Sequence, residues 1–161
     1  PAKRAAMGEK GKGPVAIAIF ASILLMIFGY KMAPFVNVWT PPSFLVHLNN
    51  LLMVFALYFV TPGPKKGALF YKMRHPMLTG FSIWAVAHLL VNGDVASLIL
   101  FGGLLAWAIV SVGLINKAEG SWTPPAKGSI GKDAMFFAIS VLLVGVIGFI
   151  HGLIGPSPFG G

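Results

Sequence analysis

Five apolar runs, each closed off by glycine, proline or charge, divide the chain. The first is Val15–Tyr30, extending to about Val36 behind a basic lead-in. It is too long for a signal peptide and has no small-x-small cleavage pattern before Trp39, so it reads as a retained helix. The second run is Ser43–Val60, bounded by Pro41-Pro42 and by Thr61-Pro62-Gly63-Pro64, and prolines at both edges mark where a helix starts and stops. The third is Met77–Val91, roughly 22 Å of helix against a hydrocarbon core of roughly 30 Å. The fourth is Val95–Ile115 and the fifth Ala134–Ile154, which precedes an uncharged Gly/Pro-rich tail.

Charge decides whether the short third run crosses. Of the twelve basic residues, eleven fall in three regions, 1–13, 61–76 and 116–133: Lys3, Arg4, Lys10, Lys12, Lys65, Lys66, Lys72, Arg74, Lys117, Lys127 and Lys132. Five crossings put all three regions on one side, as the positive-inside rule requires, whereas four would send Lys117, Lys127 and Lys132 outside. Lys31, the exception, sits near the outer end of the first helix, where its stem can snorkel to the interface. The expected fold is therefore all-α, a polytopic membrane bundle of about five transmembrane helices with a cytoplasmic N-terminus. Residues 1–13 form a basic arm, 14–155 a single helical domain (helices about 15–36, 43–60, 77–91, 95–115 and 134–154), and 156–161 a short outer tail.

Composition agrees. The chain is 57% hydrophobic and only 10% charged, with a mean hydropathy of +0.84, whereas a soluble domain carries about 25% charged residues. The net charge of +8 belongs to the helix ends, where it orients the protein and meets anionic lipid, so no nucleic-acid partner is expected. With no cysteine, thiolate sites and iron–sulfur clusters are excluded. Trp-Thr-Pro-Pro occurs at 39–42 and again at 122–125, each time between two helices. It reads as an interfacial tryptophan before a proline-marked helix entry.

Candidate chemistry lies in the histidines. His47, His88 and His151 each fall roughly 6–8 Å inside the outer end of a different helix. Three imidazoles thus share one layer, with Asn49, Asn50, Asn92 and Asp94 near in depth. Neutral imidazole ligates haem iron, divalent metals and chlorophyll-type magnesium; the alternative is that each ring bonds a carbonyl, an amide or interfacial water where it sits. His75, between Arg74 and Pro76 at the opposite entry of the third helix, is roughly 20 Å from His88 along that helix and cannot share an iron with it. Arg74 beside a helix start suits an anionic headgroup, a phosphate or a carboxylate, or else serves as a surface anchor. No nucleophile–base pair, phosphate loop or carboxylate pair appears, and all four acids are expected outside the hydrocarbon.

Arg74-His75-Pro76-Met77-Leu78, then Trp84-Ala85-Val86-Ala87-His88-Leu89-Leu90-Val91-Asn92-Gly93-Asp94 and Val95-Ala96-Ser97-Leu98-Ile99-Leu100-Phe101-Gly102, resemble the NnrU family. Gly8-Glu9-Lys10-Gly11 and Trp39-Thr40-Pro41-Pro42 followed by His47 extend the resemblance to most of the chain. It implies a multi-pass protein of the bacterial inner membrane linked to nitric-oxide and nitrite metabolism. The plant relative, 15-cis-zeta-carotene isomerase, implies haem b or an apolar polyene as ligand and His75 as a carried-over haem ligand. The family's opening segment bearing His-Ser is expected to lie before the first residue of this sequence, and with it the partner ligand to His75. Arg-His-Pro followed by Gly80 also resembles membrane methyltransferases of the isoprenylcysteine type, which need a late acidic cofactor motif that Lys117-Ala118-Glu119 does not supply. Three readings follow: a haem- or polyene-binding NnrU-like protein, a non-catalytic subunit of a larger respiratory or photosynthetic membrane complex, and a methyltransferase-like enzyme.

Overall fold

The computed structural model describes Gly8 and residues 11–159; most of the basic arm, including Lys3, Arg4 and Lys10, and the last two residues of the tail lie outside the described residues. The described chain is all-helical: α1 (Lys12–Met32), α2 (Leu45–Val60), α3 (Gly63–Lys66), α4 (Pro76–Val91), α5 (Val95–Glu119) and α6 (Ile130–Ile154). α1, α5 and α6 are long and apolar enough to cross a membrane. α2 and α4, at 16 residues each, measure about 24 Å.

Local chemistry sets the ends. α1 stops at Met32, four residues before Val36, because Ala33 precedes Pro34 and is held extended (φ −67°, ψ 137°). Pro76 opens α4 at its first turn, where a missing N–H is harmless. Asp94 caps α5 by accepting from the Ser97 amide at 2.9 Å. α5 runs on past Ile115 to Gly120, whose φ of +67° suits glycine. α6 begins four residues earlier than the apolar run suggests, capped by Ser129, and this brings Asp133 into its first turn.

The helices pack in an order unlike that of the chain. α4 lies along both α2 and α5, α6 lies along α2, and α1 touches α5, giving a row α1–α5–α4–α2–α6. At the central seam Gly80 lets α4 approach so closely that a Cβ there would stand 2.5 Å from the Ala56 carbonyl. α1 buries none of its residues; Ile17 is 70% and Leu25 72% exposed. In a helix apolar all round, that exposure marks a lipid-facing surface.

Polar contacts gather at the two ends of the row. At one end the connector after α1 is stitched to the α4–α5 turn: Val38 and Trp39 amides donate to the Gly93 carbonyl at 2.7 and 3.1 Å, and Val95 donates to Val36 at 2.9 Å. A side chain on Gly93 would collide with the Trp39 carbonyl. At the other end the Gly128 amide donates to the Gly67 carbonyl at 2.9 Å, joining the connectors 61–75 and 120–129.

Candidate functional site

His88 is the most constrained of the four histidines. Its Nδ1 lies 2.9 Å from the Trp84 carbonyl; a carbonyl only accepts, so Nδ1 carries the proton and Nε2 keeps its lone pair. The ring is wedged between Trp84 (centroids 4.9 Å) and Phe101 of α5 (4.6 Å, 33° between planes). His151, on α6, is arranged alike: Nδ1 donates to the Pro156 carbonyl at 2.9 Å, again freeing Nε2. His47 is exposed on α2. Among the described residues, no group of three or more histidines or acids stands close enough to hold one metal ion. The ring environments of His88 and His151, each with Nδ1 bonded to a carbonyl, were not legible from depth.

His75 and Arg74 lie at the other end and reach for the C-terminus of α5. His75 Nε2 is 2.8 Å from Asn116 Oδ1. Arg74 donates to the Gly120 carbonyl at 2.7 Å and pairs with Glu119 at 3.3 Å. The guanidinium therefore satisfies end carbonyls of a helix, which carry partial negative charge. Its Nε is buried and has no hydrogen-bond partner among the described residues.

Two of the carboxylates expected outside the hydrocarbon are buried at helix starts. Asp133, 4% exposed, accepts from Tyr58 at 2.5 Å and from the amides of Ala68 and Leu69 at 2.6 and 3.2 Å. Gly67 is obligatory beside it, since a Cβ would overlap the carboxylate. Asp94, 7% exposed, accepts from the Ser97 hydroxyl at 2.5 Å as well as from its amide. Because Ser97 spends its proton there, Tyr30 of α1 must be the donor in the 2.9 Å Tyr30–Ser97 contact. Burial pushes the Asp94 carboxyl up, but the Ser97 hydroxyl and the cap amides outweigh it and hold the group below the usual carboxylate range. The sequence signal for both was a helix start in the right place: Asp-x-x-Ser for one, Ser-x-x-x-Asp for the other.

Two apolar grooves lie between helices. One, of about 210 Å³, is lined by Met53, Ala56, Leu57 and Val60 of α2 and Gly80, Phe81 and Trp84 of α4. The other, of about 280 Å³, lies between α1 and α5 around Tyr30, Ala33 and Ala96.

No curated protein and no solved structure matches the chain. Residues 1–158, nearly all of it, match the family model described as NnrU protein. With the helical architecture and its lipid-facing surface, that match makes this chain a membrane protein belonging to the NnrU family.

Proposed function

We propose that the protein spans the bacterial inner membrane five times, N-terminus in the cytoplasm, and holds haem b through Nε2 of His88 in the service of nitrogen-oxide metabolism. The carrying observation is the clamp on His88: Nδ1–H tied to the Trp84 carbonyl, ring wedged by Trp84 and Phe101, Nε2 left with its lone pair. A haem-ligating imidazole needs that arrangement, because the bond at one nitrogen fixes the tautomer and raises the basicity of the other. His151 offers a second nitrogen prepared in the same way. When bound, haem supplies a redox-active iron able to take a diatomic ligand; the chain's own part is to orient the ring. Neither groove is lined by a histidine, so neither belongs to this reading.

The five-span topology draws support from the two polar ends. The connectors 61–75 and 120–129, with their lysines, are joined through Gly67–Gly128 and Arg74–Gly120. The connectors 33–44 and 92–94 are joined through Gly93. Successive crossings by α1, α2, α4, α5 and α6 produce that alternation.

The test is a visible spectrum of protein purified from its own membrane. A Soret band that His88→Ala abolishes and His75→Ala spares is expected. Loss with His75→Ala alone would overturn the assignment in favour of the ligand that the family resemblance implies. A second reading, a non-catalytic subunit of a larger membrane complex, is favoured by α1, which buries none of its residues within the chain. Purification without chromophore but with co-migrating membrane subunits would establish it instead.

A further inference from the structure

Three exposed lysines are rooted in one knot of backbone. The Gly128 amide donates to the Gly67 carbonyl at 2.9 Å, so Lys127 and Lys66 each start one residue before an end of that bond. The approach is so close that a Cβ on Gly128 would collide with the Lys66 carbonyl. Gly67 in turn lies against the Asp133 carboxylate, and Lys132 is the residue before Asp133. The end of α3, the connector 120–129 and the first turn of α6 thus contribute one lysine each. Among the described residues none of the three is in an ion pair; the pair at that end is Arg74–Glu119. Asp133, the one acid at the knot, is buried and spent on Tyr58, Ala68 and Leu69. Against its single charge, three lysines leave a surplus of two positive charges.

The face that α6 turns outward decides what covers this surplus. Lys132, Met135, Ile139 and Leu142 recur at intervals of three and four, which places them within an arc of about 80° round the helix. The three apolar members are 49%, 38% and 67% exposed. The residues that α6 buries, Asp133, Ser140 and Gly148, lie about 120° or more round the axis from the middle of that arc. Lys132 and Leu142 are about 15 Å apart along the helix, the depth of one leaflet. A cation at the head of a leaflet-deep apolar strip is complementary to an amphiphile, with its anion at the boundary and its chains below. A free anion or a soluble acidic protein would use the lysines and leave the strip uncovered.

We propose that the knot binds an anionic phospholipid with two phosphodiesters, of the diphosphatidylglycerol class. Lys66, Lys127 and Lys132 hold its phosphates, and its chains lie along Met135, Ile139 and Leu142. Two phosphate charges match the surplus of two, whereas a single phosphodiester leaves one charge unmet. The long lysine stems let the ammonium groups reach the headgroup while their own carbons cover apolar surface. Basic sites beside transmembrane helices recognise headgroups of this kind. The site rests on the chain being a membrane protein and needs neither the haem reading nor a particular orientation.

The experiment titrates the full chain in detergent with diphosphatidylglycerol, phosphatidylglycerol or phosphatidylcholine and follows bound lipid by native mass spectrometry. Diphosphatidylglycerol is expected to bind about fivefold more tightly than phosphatidylglycerol at equal phosphate, the worth of one further matched charge. Phosphatidylcholine should bind weakest. Lys66→Gln/Lys127→Gln/Lys132→Gln is expected to weaken diphosphatidylglycerol binding about a hundredfold. Lys31→Gln/Lys72→Gln/Lys117→Gln removes the same charge elsewhere and should change it by no more than about twofold, because exposed charges beyond about 8 Å are screened at physiological salt. Equal losses in the two variants would overturn the proposal in favour of general attraction between the basic chain and any anionic lipid. Equal affinities for the two anionic lipids would overturn it as well. Displacement of the lipid by inorganic phosphate at equal phosphate concentration would assign the knot to a free anion instead. The comparison of lipids on the unsubstituted protein stands even if a variant fails to fold.

Discussion

Tyr58→Phe removes one hydroxyl from the only contact by which α2 reaches the Asp133 carboxylate among the described hydrogen bonds. The ring stays in its aromatic setting against Phe59, Phe70 and Phe137, so little packing is lost. What remains is a buried carboxylate accepting from two amides instead of three donors. A hydrogen bond to a charged group contributes about 1.5–3 kcal/mol, and that is the expected loss. Asp133→Leu strands the Tyr58 hydroxyl and the Ala68 and Leu69 amides together, each at about 1–3 kcal/mol, and should cost more than Tyr58→Phe. Asp133→Asn keeps one acceptor oxygen and should fall between. Thermal unfolding of a fluorescent-protein fusion in detergent, followed by size-exclusion of the soluble fraction, ranks all three. A Tyr58→Phe melting point equal to that of the unsubstituted protein, or a milder effect for Asp133→Leu than for Tyr58→Phe, would refute the reasoning.

Other outcomes follow from the same contacts. Gly67→Ala should destabilise by several kcal/mol through collision with Asp133, whereas Gly102→Ala, with open space around it in α5, should be neutral or stabilising by up to about 1 kcal/mol through helix propensity; parallel melts compare them. Asp94 has a folded-state pKa below its unfolded value of about 3.9, so its contribution is intact above that value and lost as pH falls through the lower, folded one. Melting points should therefore drop below about pH 4, and less so in Asp94→Asn. Reporter fusions after Lys66 and Lys127 should be cytoplasmic and a fusion after Asn92 periplasmic; a cytoplasmic reporter at Asn92 would remove the five-span topology. Arg74→Ala should lower stability more than Lys65→Ala, since Arg74 holds the end of α5 and Lys65 is exposed.

The positions of the helices were legible because apolar runs and their Gly/Pro punctuation are written along the chain itself. Periodicity could not reveal their neighbours: α1 and α5 are apolar all round, so no stripe points to a partner, and the row order rests on pairwise fits such as Gly80 against Ala56. Histidine depth was legible from residue counts, but rotation about a helix axis was not, so the Trp84 and Phe101 rings that flank His88 could not be foreseen. Asp133 was missed for a narrower reason. Starting the last helix at its first apolar residues left the acid just outside, although Ser129 four residues earlier is a good cap. Arg74 was read as an anion site or a surface anchor because it flanks a helix start; that its side chain spans to the end of a different helix depends on tertiary contact and was not legible.

The row α1–α5–α4–α2–α6 has a consequence for biosynthesis. α6 follows α4 and α5 in the chain yet packs against α2, so α2 has to keep one flank free while α4 and α5 settle against each other and against its opposite side. Throughout that interval the Tyr58 hydroxyl and the amides of Ala68 and Leu69 wait for a carboxylate that has not yet been translated. Arrival of Asp133 satisfies all three at once and joins the start of α6 to α2 and the connector after it. Closure of the polar end thus waits for the start of α6, and a chain halted before residue 133 would retain its central seam with three donors unmet.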